Sequence, residues 1–271
     1  MTQRYAELCD AAAELAQVGG RMAAERLGQA RASRKADRSW VTDVDLAVQA
    51  AIVEGVRARF PDHAVLAEED ADGAAGAPPP ERVEYCWVID PIDGTRNYVR
   101  AVPVFSTAVA VLRNGRPIAA ATCDPLTGRM YTATRGAGAR LDGQPMTVAD
   151  RPQHADTMIG VPSERRVPIP EPVRRWGETM VLRCTGSTAL HLGLVAAGSL
   201  DAAYAMDTRI WDIAGGVLMI QEAGGRVTDL TGRPIFPIDL SANPRRRLPF
   251  LAAGPELHGR LLAPFLPAGR Q

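Results

Sequence analysis

The sequence predicts a mixed fold, α+β in its first half and α/β in its second. Three observations carry this. Two helical periodicities open the chain, strands and tight turns alternate over residues 104–143, and helices then alternate with short strands to the C-terminus.

Residues 3–30 place Tyr5, Leu8, Ala12, Leu15, Ala16 and Met22 near a 3.6-residue period, which predicts a helix with Gly28 as its stop. Residues 43–59 predict a second, with Leu46, Val48, Ile52, Val53 and Val56 inward. Thr42 or Asp43 caps its start and Pro61 lies beyond its end. Residues 65–70 (VLAEED) read as a short strand ending in acid. The small, Pro-rich stretch 71–84 reads as a loop. Residues 85–90 (YCWVID) are apolar enough for a buried strand and run into the turn signal PIDGT. The meander follows, punctuated by Asn114-Gly115 and Pro125-Leu126-Thr127-Gly128.

In the second half, MIGVP and VLRCTG read as strands on either side of a Pro- and Arg-rich insert, 162–175. Helices are expected over 187–199, 211–223 (closed by Gly224-Gly225) and in PELHGRLLAPF; LDAAYAM, RVTDLTG and FLAAG read as strands. A boundary near 145–155 divides the chain into an N-terminal α+β half, 1–150, carrying most of the acidic clusters, and a C-terminal α/β half, 151–271, that supplies Asp212; one compact unit with a shared core is the alternative.

The 31 Lys+Arg balance 31 Asp+Glu, and 46% of residues are hydrophobic. That excludes a disordered or collagen-like chain and gives no general reason to expect nucleic acid or a membrane as partner. No apolar run reaches the roughly 18 residues of a membrane span. The first residues carry acid where a signal peptide needs an apolar core, so a cytoplasmic protein is expected. Cys9, Cys86, Cys123 and Cys184 form no C-x-x-C pair, and His63, His154, His191 and His258 are scattered, so neither a zinc cluster nor a disulfide framework is expected. Lys35 is the single lysine; every other basic residue is arginine.

Three acidic clusters stand out: Glu68-Glu69-Asp70, Asp90 to Thr95, and Trp211-Asp212. Each alone also reads as a solvated run, a surface turn or a helix cap. Yet Asp90 and Asp93 emerge from a buried strand, where sheet ends favour ligand sites. Gly94-Thr95 sets backbone N–H groups beside them. Hard carboxylate oxygens next to such donors suit Mg²⁺ and a phosphate.

Together the clusters resemble the inositol monophosphatase superfamily of Mg²⁺-dependent, lithium-sensitive phosphatases. The resemblance is carried by Glu68-Glu69-Asp70, by Trp87-Val88-Ile89-Asp90-Pro91-Ile92-Asp93-Gly94-Thr95-x-Asn97-Tyr98, and by Trp211-Asp212-Ile213-Ala214-Gly215-Gly216 followed by Glu222-Ala223-Gly224-Gly225. Lys35-x-Asp37-x-Ser39-x-Val41-Thr42-x-x-Asp45 extends it, and it runs from about residue 5 to 265. It implies a five-layered α-β-α-β-α sandwich, commonly a homodimer. Two or three Mg²⁺ ions are implied: Glu68, Asp90 and the Ile92 carbonyl hold one, and Asp90, Asp93 and Asp212 a second. Thr95, hydrogen-bonded to Asp45, orients the attacking water, and Glu68 belongs to the same catalytic group. Asp93, Gly94, Thr95 and Asp212 contact the substrate.

Where inositol-specific members carry a glutamate seven residues before the motif aspartate, this chain has Ala205. Asp207 is a shifted substitute, and Arg209 a cation for a second phosphate or a carboxylate. Tyr98 to Pro103 and the N-terminal motif resemble the histidinol-phosphate phosphatase branch equally. The expected substrate is therefore inositol monophosphate or histidinol phosphate, with 3′-phosphoadenosine 5′-phosphate and fructose 1,6-bisphosphate as alternatives. A reading of another class is a regulatory RNA- or protein-binding protein on the same scaffold. Arg165-Arg166, Arg174-Arg175 and Arg245-Arg246-Arg247 would be its footprint, but they lack interleaved aromatics, and nucleic acid is not the expected partner.

Overall fold

The computed structural model describes residues 2–35, 39–69, 83–163, 168–241, 243 and 246–267. Asp37, Asp70, most of the Pro-rich loop (71–82), Arg165, Arg166 and Arg245 lie outside the described residues.

Helices α1 (Thr2–Glu25) and α2 (Asp43–Arg59) form as the periodicity predicts, joined through the hairpin of β1 (Ala32–Arg34) and β2 (Trp40–Thr42). The α1 helix ends earlier than expected, five residues short of 30, and Gly28 sits at φ +79° beyond it. Thr42 caps α2 and forms a capping box with Asp45, satisfying orphan N–H groups at both residues. Leu46, expected inside, is 38% exposed.

Seven strands then build the larger sheet in the order β3 (Ala64–Ala67), β4 (Tyr85–Asp93), β5 (Ser106–Arg113), β6 (Arg116–Asp124), β7 (Arg129–Thr134), β8 (Gly138–Leu141), β9 (Gln144–Pro145). All neighbours are antiparallel except β3 and β4. The expected meander is present. The turn expected at PIDGT is not a turn at its start. β4 continues to Asp93 through a register shift between Asp90 and Asp93, and the chain turns at Gly94 into the short helix α3 (Thr95–Val99).

The smaller sheet has the order β11 (Val181–Arg183), β10 (Met158–Gly160), β12 (Ala202–Ala205), β14 (Phe250–Ala253), β13 (Arg226–Thr228), with β10 parallel to both its neighbours. Helices α5 (Thr188–Ala196) and α6 (Ile210–Glu222) lie between the two sheets, and α4 (Glu171–Thr179) and α7 (Pro255–Leu262) cover the outer face. The α4 helix occupies the end of a stretch read as an insert. Its Pro172 sits in the first turn, where a missing N–H is harmless, and only Val173 and Trp176 turn inward.

Three apolar cores alternate with the two sheets. One joins α1 and α2 to the larger sheet through Leu15, Ile52, Trp87 and Val109. The middle core places α5 and α6 between the sheets through Leu192, Val217, Leu112 and Phe250. The outer one packs Trp176 and Leu257 on Tyr204 and Leu251. The result is an α-β-α-β-α sandwich, and burial of these apolar faces is its main driving force.

Candidate active site

The acidic residues converge where β4 leaves the larger sheet. Glu68 follows β3, and its N–H donates to the Ile89 carbonyl at 3.1 Å, which carries the ladder one residue past the strand. Glu68 therefore lies alongside Asp90. Asp212, in the first turn of α6, arrives from the far half of the chain. Carboxylate oxygens of Glu68, Asp90 and Asp212 lie within 4.8 Å of one another.

Asp90 is 1% exposed, and neither of its oxygens has a hydrogen-bond partner. Such a group is rare in a folded protein. Burial first, then the charges of Glu68, Asp93 and Asp212, push its carboxyl well above the ordinary carboxylate range. Burial and Glu68 raise Asp212 in the same way, although it accepts the Arg209 N–H at 2.6 Å.

Asp93 lines a cavity together with Glu68 and Asp212, but one of its oxygens is committed elsewhere. It accepts from the Ser187 hydroxyl and the Ala189 N–H, each at 2.6 Å, so it closes the N-terminus of α5. Burial still pushes it up to about 6. Sequence reasoning missed Ser187 here. Its position at the head of an expected helix was the available signal, but a bond to a residue 94 positions away leaves none.

The Thr95 hydroxyl donates to the Ile92 carbonyl at 3.0 Å and has Asp45 Oδ1 at 3.4 Å. Asp45 is fully buried and accepts the Thr42 N–H at 2.8 Å and the Thr42 hydroxyl. Burial pushes its carboxyl up to about 7 against those bonds. Gly94 has φ +104°, and a Cβ there would stand 3.2 Å from the Val104 carbonyl and 3.3 Å from that of Gly186. Only glycine fits this corner. Asn97 fastens it by donating to the Val104 and Thr185 carbonyls at 2.8 and 2.7 Å.

The lone lysine has a local partner. Lys35 Nζ bonds Glu69 at 2.6 Å and lies 3.6 Å from Glu68. Burial lowers its affinity for a proton, but Glu68 and Glu69 outweigh that and raise it. Glu69, buried and tied through its backbone to the Gln49 side chain, is pushed up to about 8 by burial and Glu68. Its role is thus to hold Lys35 beside the cluster.

The cavity over these groups has a volume of about 820 Å³ and includes Ala205 and Arg209 in its wall. Arg209 does not reach out freely: its guanidinium bonds Asp207 at 2.9 Å and the Thr208 carbonyl at 3.3 Å. Asp207 also holds Arg247 at 2.9 Å, which makes it an anchor for two cations. Among the remaining basic residues, Arg175 pairs with Glu171 on α4. The four cysteines are free, and only Cys184 is exposed.

Fold and site define a class: a five-layered α+β sandwich with an acidic cluster where a strand of its larger sheet ends. The chain belongs to the inositol monophosphatase family, whose profile matches residues 4–265. It is 35% identical over 222 residues to the Nus factor SuhB of Pseudomonas aeruginosa, spanning 78% of this chain and 80% of that protein. Among solved structures it is similar to the Bartonella henselae extragenic suppressor protein suhB, with TM-score 0.83, 25% identity and coverage of 96% and 98% of the two chains. A Thermotoga maritima IMPase gives TM-score 0.82 and 27% identity, covering 96% of both chains. The expectation against a nucleic-acid partner draws no support from relatives named as Nus factors. No helix among the described residues is long and apolar enough to cross a membrane.

Proposed function

We propose that this protein is a Mg²⁺-dependent phosphomonoesterase of a small phosphorylated metabolite, inositol monophosphate or histidinol phosphate. The observation that carries the reading is Asp90: a buried carboxylate with two unpartnered oxygens, facing two further carboxylates. That arrangement repels itself unless cations enter, and an all-oxygen donor set suits Mg²⁺. Glu68, Asp90, the Ile92 carbonyl, Asp93 and Asp212 would hold two or three ions. Bound there, Mg²⁺ supplies a water of lowered pKa and charge to offset the leaving alkoxide.

The chain's own groups do the rest. The Thr95 hydroxyl, backed by Asp45, would take a proton from the attacking water as it passes its own to Asp45, whose raised pKa suits a base near neutrality. The Gly94 and Thr95 N–H groups face the phosphate oxygens. Asp93, accepting from Ser187 and Ala189, ties the end of β4 to the N-terminus of α5. The resemblance also implies a cytoplasmic homodimer inhibited by lithium; light scattering and a lithium titration of the activity test the last two.

The test is phosphate release with and without Mg²⁺ for both esters, with Asp90→Asn alongside. The expected loss in that variant is about 10³-fold or more in kcat, since metal-site charge is the main stabiliser of the transition state. Near-native turnover by Asp90→Asn would reject the two-metal reading. A second reading, a regulatory factor on this scaffold, is favoured by the relatives named Nus factor SuhB. Salt-sensitive RNA binding that survives in Asp90→Asn, without turnover of any ester, would favour it.

A further inference from the structure

Residues 184–187 join β11 to α5 and bring the second half of the chain onto the Gly94 corner. Asn97 donates to the Thr185 carbonyl at 2.7 Å, and the Ser187 hydroxyl donates to Asp93 at 2.6 Å. Gly186, at φ +94°, packs so closely on Asn97 that a Cβ there would stand 2.6 Å from the carboxamide nitrogen. A side chain outside the mechanism above anchors this segment. His191 of α5 has the Thr185 hydroxyl 2.8 Å from its Nε2, and the Thr185 N–H points at the same atom from 3.4 Å. A backbone N–H can only donate, so Nε2 carries the lone pair, Nδ1 carries the hydrogen, and the hydroxyl donates too. His191 is 4% exposed, and its ring lies on Gly160 of β10, where a Cβ would stand 2.8 Å from Cγ. The smaller sheet thus leaves a space for the ring and fixes where Thr185 can sit. Burial pushes the imidazole down to about 4, so it is a neutral acceptor near pH 7.

We propose that His191 is a positioning residue for phosphate binding: through Thr185 and Asn97 it sets the corner whose Gly94 and Thr95 N–H groups meet the phosphate. This deepens the phosphomonoesterase reading and rests on it for the position of the phosphate. The path is short and polar. The ring holds Thr185, the Thr185 carbonyl holds the Asn97 carboxamide, and that carboxamide also holds the Val104 carbonyl, against which Gly94 packs. Without the ring acceptor, the Thr185 N–H and hydroxyl lose their partner in a partly buried place and the segment must move to find another. Asn97 and the Gly186 carbonyl beside Gly94 move with it. The path ends on the phosphate, which every ester shares, so its loss acts alike whatever the alcohol.

The probe is inorganic phosphate, the product. Its inhibition constant is measured with Mg²⁺ against turnover of histidinol phosphate and inositol 1-phosphate, in the wild type, His191→Asn and His191→Gln. An asparagine amide ends where Nδ1 stands and falls short of Thr185; a glutamine amide reaches the place of Nε2 and offers an oxygen there. The expected constant is about 10-fold higher in His191→Asn, the worth of one hydrogen bond, whichever ester is hydrolysed, and within about 2-fold of wild type in His191→Gln. A merely structural role would shrink the folded fraction, and with it kcat, but leave this constant unmoved. Added to Asn97→Ala, His191→Asn should raise it little further, since both act on one link. Should His191→Asn not fold, Thr185→Val removes the hydroxyl from the other side of the bond, with the same expectation. If neither ester is hydrolysed, the phosphatase reading alone fails, and calorimetric binding of phosphate with Mg²⁺ takes the place of the inhibition constant. An unmoved constant, no rescue by glutamine, or full additivity with Asn97→Ala overturns the proposal. So does, in the absence of turnover, a wild type that binds no phosphate.

Discussion

Replacing Asp90 by asparagine should make the metal-free protein more stable while depriving it of its response to Mg²⁺. In the metal-free state the Asp90 carboxylate has like charges on Glu68 and Asp212 within 4.8 Å. At an effective dielectric of about 20 and that separation, each such ionised pair costs about 3.5 kcal/mol, so two neighbours cost about 7 kcal/mol when all three are charged. Burial first, and then these charges, hold the Asp90 pKa well above the ordinary range, and the protein escapes part of the repulsion by keeping the proton. The folded state is therefore favoured at acid pH, and that stability is lost as pH rises through the raised pKa. Asparagine is neutral, nearly isosteric and brings N–H donors to the two remaining carboxylates. We expect about half of this to be recovered at about pH 8, near 3 kcal/mol, or a Tm higher by about 6–10 °C for a chain of this size. Mg²⁺ at about 100 times its Kd should raise the wild-type Tm by the equivalent of about 2.7 kcal/mol and leave the variant almost unmoved. The assay is thermal unfolding followed by circular dichroism, with EDTA or Mg²⁺, at about pH 5 and pH 8. The gap in EDTA should narrow at the lower pH. A variant less stable than wild type in EDTA at the higher pH would refute the reasoning, as would an undiminished Mg²⁺ shift.

Other perturbations read the frame around the cluster. Thr95→Val keeps the shape but removes the hydroxyl between Ile92 and Asp45; kcat should fall about 100-fold or more with Mg²⁺ stabilisation retained, checked by steady-state kinetics and a melt. Gly94→Ala forces a Cβ into a positive-φ corner 3.2 Å from a carbonyl, and should cost about 1–3 kcal/mol in urea unfolding. Asn97→Ala leaves the carbonyls of Val104 and Thr185 without their shared donor; about 2 kcal/mol should be lost in the same assay, with turnover reduced as the Gly94 corner loosens. Ser187→Ala removes a helix cap and one of the two bonds to Asp93, for a loss of about 1 kcal/mol.

How much of this was legible in the sequence depends on the range of the interaction. The α2 helix was readable to the residue, because its cap, its period and Pro61 are all local. The meander was readable because each turn announces itself within a few residues. The α4 helix was not: its nine residues begin with Glu-Pro, lie behind a Pro-rich stretch and turn only two apolar side chains inward, too few for a period to emerge. The continuation of β4 through Pro91 was also hidden. Asp-Pro-Ile-Asp-Gly looks like a turn, and only the pairing of Asp93 with Ser106 keeps it in the sheet. At the site, motif residues stood out by their spacing, yet their partners did not. Nothing local ties Ser187 to Asp93, or Glu69 to the single lysine.

The bulge in β4 explains why one strand can serve two ends of the site. Without a register shift, Asp90 and Asp93, an odd number of residues apart, would project to opposite faces of the sheet. One would then lie with α1 and α2 and the other between the sheets. The irregularity between them turns both carboxylates into the region between the sheets: Asp90 toward Glu68 and Asp212, and Asp93 toward the N-terminus of α5. Since α5 and α6 also pack on the smaller sheet, the position of Asp212 relative to Asp90 depends on the middle core, not on the larger sheet alone. A cavity cut into that core should therefore act on metal affinity at a distance. Leu192 is fully buried, and its side chain lies close against the α6 backbone at Gly216. Leu192→Ala should lower stability by about 2–5 kcal/mol and weaken Mg²⁺ binding with the ligands intact. Were calorimetry to find Mg²⁺ affinity unchanged in a folded Leu192→Ala protein, the larger sheet alone would be holding the site.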